Sequence, residues 1–273
     1  MKQTQGLKSR LEFLQRLGIK YVSSGVQALG ISPLEKTPVE SPGSETAPHF
    51  QPEQPRGELA PDSSLETTNS SSGKNNWLKG AAETIPAMEL LAFYEDIHEC
   101  QKCPLGKTRK SFVFGSGNPQ AQVMFVGEAP GADEDEQGLP FVGKAGQLLT
   151  KIIESTKTWK REDVFICNVL KCRPPGNRTP QPEEMDQCRP YLEEQINVIK
   201  PKLIMALGAV AAQALLKTKE PVGKLRNQWH DLQGIPLRVT YHPAFLLRDE
   251  SRKKDVWEDM KEFDKRFRET TKA

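Results

Sequence analysis

VMFVGEAPGADEDEQGLPFVGKAGQLL, residues 123–149, decides how this chain folds. Val123-Met124-Phe125-Val126 is a short apolar run of strand length, closed by Gly127. Pro130, Gly131, Gly138, Pro140 and Gly143 then punctuate a segment that reads as a loop held open rather than packed. That loop carries Glu128, Asp133, Glu134, Asp135 and Glu136, far more carboxylate than a connection needs. It also carries Phe141, an aromatic on a stretch too polar to be core, and a helix starts at Gly146-Gln147-Leu148-Leu149.

Working outward, the strand–turn–helix pattern repeats. Strands are expected at residues 123–126, 164–168, 203–207 and 237–240, and helices at 146–156, 182–199, 209–216 and 255–268. Four β-α repeats predict an α/β fold, a three-layer αβα arrangement around a central four-stranded parallel sheet. Ligands of such sheets bind beyond the carboxyl ends of the strands. Those ends carry Gly127-Glu128, Asn168, Gly208 and Tyr241-His242, so the polar residues suited to chemistry converge on one edge.

The 273 residues are 36% hydrophobic with 21 prolines, which predicts that part of the chain never packs. Within residues 1–30, Leu7, Leu11, Leu14 and Leu17 beside Phe13 fit a short amphipathic helix that ends near Gly18, docking on a protein partner or on its own domain. Residues 31–85 read as a disordered linker rich in Pro, Ser and Glu, and 86–273 as the folded domain. Residues 31–73 hold seven acidic and two basic side chains, a net of −5; since the whole chain is +2, the remainder is +7 and suits a polyanion. No apolar run is long enough to span a bilayer and the N-terminus lacks a signal-peptide segment, so a cytoplasmic monomer is expected, nucleoid-associated if prokaryotic.

Five cysteines in a reducing compartment point to ligation or burial rather than disulfides. Cys100-Gln-Lys-Cys103 is a chelating pair, Cys172 and Cys188 lie downstream with fifteen residues between them, and Cys167 sits in a strand as a small core residue. This spacing leaves a zinc site and a four-cysteine iron–sulfur cluster both open. Residues 138–144 imitate a phosphate-binding loop, but Ala145 stands where Ser or Thr must hold magnesium and Pro140 removes a backbone donor. His230 reads as a packing histidine. His242, between Tyr241 and Pro243 at a strand end, reads as a rim residue on a fixed backbone.

GEAPGADEDEQGLPFVGKAG, CNVLKCRPPGNRTPQPEE and YHPAFLLR, in this order, resemble three motifs of the family 4 uracil-DNA glycosylases, the iron–sulfur branch of the uracil-DNA glycosylase superfamily. The resemblance covers residues 96–248. It implies a [4Fe–4S] cluster on Cys100, Cys103, Cys172 and Cys188, with a structural role. It also implies hydrolysis of the N-glycosidic bond of uracil in single- or double-stranded DNA, leaving an abasic site for base-excision repair. Gly127, Glu128, Ala129, Phe141, Asn168 and His242 then occupy uracil-contacting positions: Phe141 stacks on the flipped ring, Asn168 pairs with the N3/O4 edge, and His242 donates to O2 where negative charge builds.

Glu128, Glu134 and His242 are the expected catalytic residues, with Glu134 blocking a 5-methyl group or positioning water. Arg248, next to Leu246-Leu247, is expected to press on the DNA backbone and fill the gap left by the base. Two departures stand out. Ala129 and Gly131 replace the Asp and Tyr of family 1 enzymes, and Ala244 and Phe245 stand where the family often shows Ser and Tyr. The alternatives are a glycosylase of wider range, acting on hypoxanthine, xanthine or mismatched thymine, and a non-catalytic iron–sulfur DNA-binding or polymerase-associated module.

Overall fold

The computed structural model describes residues 84–272, so the expected N-terminal helix and most of the expected linker lie outside the described residues. The chain enters through helix α1 (Ile85–Ile97), capped by the Thr84 hydroxyl, and a short turn α2 (Leu105–Thr108). Strands β1 (Ser116–Gly117), β2 (Val123–Gly127), β3 (Phe165–Asn168), β4 (Leu203–Leu207), β5 (Trp229–Leu232) and β6 (Ile235–Thr240) form one sheet in the order β1-β3-β2-β4-β6-β5. The inner four are parallel and correspond to the expected strands.

The sheet is nevertheless mixed and six-stranded, because antiparallel β1 and β5 close its two edges. Neither showed in the apolar pattern. β1 is only Ser-Gly, and β5 places His230 and Asp231 on a half-exposed edge where no alternation is required. The β5–β6 hairpin turns at Gln233-Gly234, both at positive φ (53° and 87°).

Alternation along the inner strands feeds two cores. Met124, Val126, Phe165, Cys167, Ile204, Ala206, Leu237 and Val239 face α1, α5 (Pro182–Ile199), α6 (Gly208–Leu216) and the short α7 (Val222–Leu225). Val123, Phe125, Ile166, Leu203 and Met205 face α4 (Lys144–Ser155) and the terminal helix α9 (Lys253–Lys272) through Leu149, Ile153, Met260 and Phe263. Among the described residues no helix is long and apolar enough to cross a membrane.

The acidic segment is not the open loop its composition suggests. Residues Ala132–Gln137 form helix α3, stopped by Gly138 in the left-handed region (φ 70°) with its N–H on the Glu134 carbonyl. Asp135 is buried, accepting the Lys110 and Ser111 N–H groups at 2.9 and 3.3 Å. Carboxylates counted as surplus therefore serve the backbone. Phe141 is likewise buried, packed in the second core.

Candidate active site

The parallel strands end on one side, and a cleft of about 460 Å3 opens there. Its wall brings together Glu128, Glu134, Phe141, Asn168, His242 and Arg248 from segments far apart in the chain. Gly127 ends β2 in register with Asn168. A Cβ at Gly127 would lie 2.4 Å from Asn168 Oδ1 and 2.5 Å from the Phe141 ring, so glycine is what lets both side chains close over the strand end. Ala129 follows on the same wall.

Asn168 is buried, and its Oδ1 has no hydrogen-bond partner among the described residues. A buried amide oxygen in that state carries a desolvation cost that a ligand N–H would remove. The main chain behind it is fixed by Lys171, fully buried, whose Nζ donates to the Asn168 carbonyl (2.8 Å) and to Gln195 Oε1 (2.6 Å).

His242 caps the short helix α8 (Pro243–Leu246), its Nδ1 accepting the Ala244 N–H at 3.1 Å. With Nδ1 an acceptor, the neutral ring carries its proton on Nε2. Burial, reinforced by Arg248, holds the imidazole pKa down to about 4, so the ring is a neutral donor near pH 7. Its centroid lies 5.5 Å from that of Phe141. At the end of β4, Gly208 (φ 90°) gives it room, since a Cβ there would meet His242 Cβ at 2.9 Å.

The two loop carboxylates differ. Glu128 is half-buried, without a side-chain hydrogen bond among the described residues, and burial raises its pKa. Glu134 is fully engaged: Oε2 accepts the Gly131 N–H (3.0 Å), and Oε1 those of Val142 (2.9 Å) and Gly143 (3.0 Å). At the lip, Leu246 is buried whereas Leu247 and Arg248 are exposed. Arg178, paired in a fork with Glu184 at 2.5 and 2.9 Å, lines the opposite wall with Asn177. Sequence reasoning missed these two; the signal was an arginine within a Pro/Gly loop leaving a strand end.

The cysteines gather beside the first core, and none of them lines the cleft. Cys100 and Cys103 bracket the turn between α1 and α2, Cys172 follows β3, and Cys188 lies on α5. Tyr191 Oη donates to Cys100 Sγ (3.1 Å), and Arg109 Nη1 to Cys172 Sγ (3.5 Å). Burial lifts the Cys172 thiol to about 11 and Cys188 to about 12, and the neighbouring cysteines add to both. Among the described residues no group of three or more His, Cys, Asp or Glu is arranged to hold a single metal ion. Cys167 is buried in β3.

Residues 114–261 match the family model of the uracil DNA glycosylase superfamily. The chain is similar to the Type-4 uracil-DNA glycosylase of Pyrobaculum aerophilum, 46% identical over 64% of this chain and 93% of that protein. It is similar also to those of Saccharolobus solfataricus (43%, over 64% and 83%) and Thermotoga maritima (45%, over 60% and 85%).

Proposed function

This chain belongs to the uracil-DNA glycosylase superfamily, and from that membership we infer how its cleft detaches uracil from DNA. It is a uracil-DNA glycosylase, a DNA-repair hydrolase of N-glycosyl bonds. The observation that carries the assignment of roles is the unpartnered, buried Asn168 Oδ1 in a cleft that His242 enters as a neutral Nε2–H donor.

A uracil turned out of the helix enters edge first, its N3–H donating to Asn168 Oδ1 and its O4 accepting from the Asn168 amide. Phe141 covers one face of the ring, and Gly127 and Ala129 leave the floor low enough for the base to seat. As the C1′–N1 bond breaks, its electron pair leaves with the base, and the charge arriving on O2 meets the His242 donor. Glu128, desolvated and without a side-chain hydrogen bond among the described residues, faces the cationic sugar and orients the water that adds to C1′. The proton of that water passes through the carboxylate to solvent.

Glu134, its two oxygens filled by three backbone donors, braces the loop rather than meeting the 5-methyl group or the water. Leu247, exposed at the lip, and Arg248, on the cleft wall, are suited to fill the vacated stack. Cys100, Cys103, Cys172 and Cys188 would hold a [4Fe–4S] cluster, for which four thiolates are the fitting donor set. Bound there it would supply a cross-link rather than a reagent.

Among the described residues the cleft lining contains no lysine, which fits a glycosylase that forms no Schiff base and leaves the strand intact. A uracil-containing oligonucleotide should therefore release free uracil and break only after alkali. Strand cleavage by the protein alone, or no free uracil from single- or double-stranded DNA, contradicts this.

Glu128→Gln is expected to slow single-turnover release roughly 100-fold without changing base preference. The working form of Glu128 is the carboxylate and its pKa is raised, so the parent rate should fall with decreasing pH sooner than an ordinary glutamate would dictate, and the variant should lose that limb. Because a raised carboxylate pKa means that the folded state takes up the proton more readily, stability falls as pH rises through the window between the ordinary and the raised value. Glu128→Gln should thus melt slightly higher at neutral pH. An unchanged low-pH limb in the variant would move the role to another group.

A further inference from the structure

Phe141 adopts a φ of 52°, the left-handed region that a bulky side chain avoids, and the surroundings hold it there. On the exit side, Glu134 binds the Val142 and Gly143 N–H groups. Gly146 packs so tightly that a Cβ on it would meet the Phe141 carbonyl oxygen at 1.9 Å. On the entrance side, the Pro140 carbonyl accepts Arg161 Nη2 at 2.8 Å. The same guanidinium donates from Nη1 to Thr150 Oγ1 (3.0 Å), which in turn donates to the Gly146 carbonyl (3.2 Å). One planar fork thus fastens both the peptide entering Phe141 and the helix turn against which Phe141 leans.

Arg161 belongs to the single turn Arg161–Asp163 that leads into β3, outside the three motifs and outside the cleft lining. It is half-buried, with Glu134 and Glu154 supplying the opposing charge. A lysine could not make both bonds in this plane.

We propose that Arg161 is a positioning residue for uracil excision: it pins the Pro140 carbonyl and the first turn of α4, and so keeps the strained Phe141 ring in place over the base beside His242. Without that fork the entering peptide is free to relax to negative φ, and the ring leaves the base plane. The proposal rests on Phe141 being the stacking face, and its test separates the two.

The test uses the full chain and single-turnover release from a uracil oligonucleotide, with Arg161→Met, Arg161→Lys, Phe141→Ala and the double variant Arg161→Met/Phe141→Ala. Arg161→Met should lower the rate by roughly 10- to 100-fold, in line with misplacement of a group remote from the chemistry. Arg161→Lys should recover part of it by keeping one donor. The decisive readout is the double variant, expected to match Phe141→Ala in rate, while melting temperature drops by the same amount in either background and the salt dependence of DNA binding stays at the parent's slope. A merely structural arginine would instead multiply its rate loss onto that of Phe141→Ala, which overturns the proposal, as does a parent-like rate for Arg161→Met beside a slow Phe141→Ala. If Phe141→Ala itself keeps the parent rate, the stacking assignment fails and the proposal with it.

Discussion

Replacing His242 with alanine is expected to lower the single-turnover rate of uracil release by roughly 100- to 1000-fold while leaving affinity for uracil-containing DNA close to the parent's. The asymmetry follows from when the donor is needed. In bound substrate O2 is an ordinary carbonyl oxygen, and only as the C1′–N1 bond opens does it gather the charge that the Nε2–H is aimed at. The Ala244 N–H on Nδ1 selects that tautomer, and a pKa of about 4 means that no proton must be shed to reach it.

The pH consequence has a definite sign. An unfolded histidine titrates near ~6.5, so between there and the folded value of about 4 the unfolded chain binds a proton that the folded one refuses. Stability contributed by the neutral ring is complete above the unfolded value and is lost as pH falls toward the folded one, and His242→Ala should remove this dependence. Loss of the α8 cap adds a cost of about 1 kcal/mol that has nothing to do with catalysis. His242→Asn retains a capping acceptor but cannot reach O2, so it should melt nearer the parent and remain slow. A rate within a few-fold of the parent for both variants would remove His242 from the mechanism.

What the chain disclosed beforehand, and what it did not, divides along a physical line. The inner strands announced themselves because β2, β3 and β4 are apolar runs closed by glycine or a polar residue and β6 alternates Leu237 and Val239 with Arg238 and Thr240, and their parallel order then carries Gly127, Asn168 and His242 to one edge. β5 was invisible because an edge strand with one half-exposed face has no pattern to keep. Phe141 looked too poorly supported for a core position, since its support comes from backbone groups and from Arg161, twenty-one residues downstream of the carbonyl it holds. Composition likewise cannot show that Glu134, although it lines the cleft, gives its oxygens to N–H groups eight and nine residues later. Asp135 misled in the same way, as a ligand for the Lys110 and Ser111 backbone. Side-chain-to-backbone bonds have no sequence periodicity, and in this site they separate the engaged Glu134 from Glu128.

Alanine at Cys100, Cys103, Cys172 or Cys188 is expected to abolish iron content, brown colour and cooperative melting together, in protein prepared without oxygen. Cys167→Ala should keep all three. The four sites would tie together the end of α1, the α2 turn, the loop after β3 and α5, segments that also meet through Arg109, Tyr191 and the first core. A structural metal site is worth on the order of 10 kcal/mol, comparable with the ~5–15 kcal/mol that holds a whole domain together, so its loss outweighs any one packing contact. Cys167, by contrast, gives up only its sulfur in a strand interior, a change of about 1 kcal/mol. Residues 173–187 run between two of the four cysteines and carry Asn177 and Arg178 into the cleft wall, so the site loses a wall when it loses the cross-link. Residual uracil release in these variants should therefore fall with the folded fraction. Stoichiometric zinc without iron in the parent, or iron retained by any of the four variants, would assign these thiols to another use.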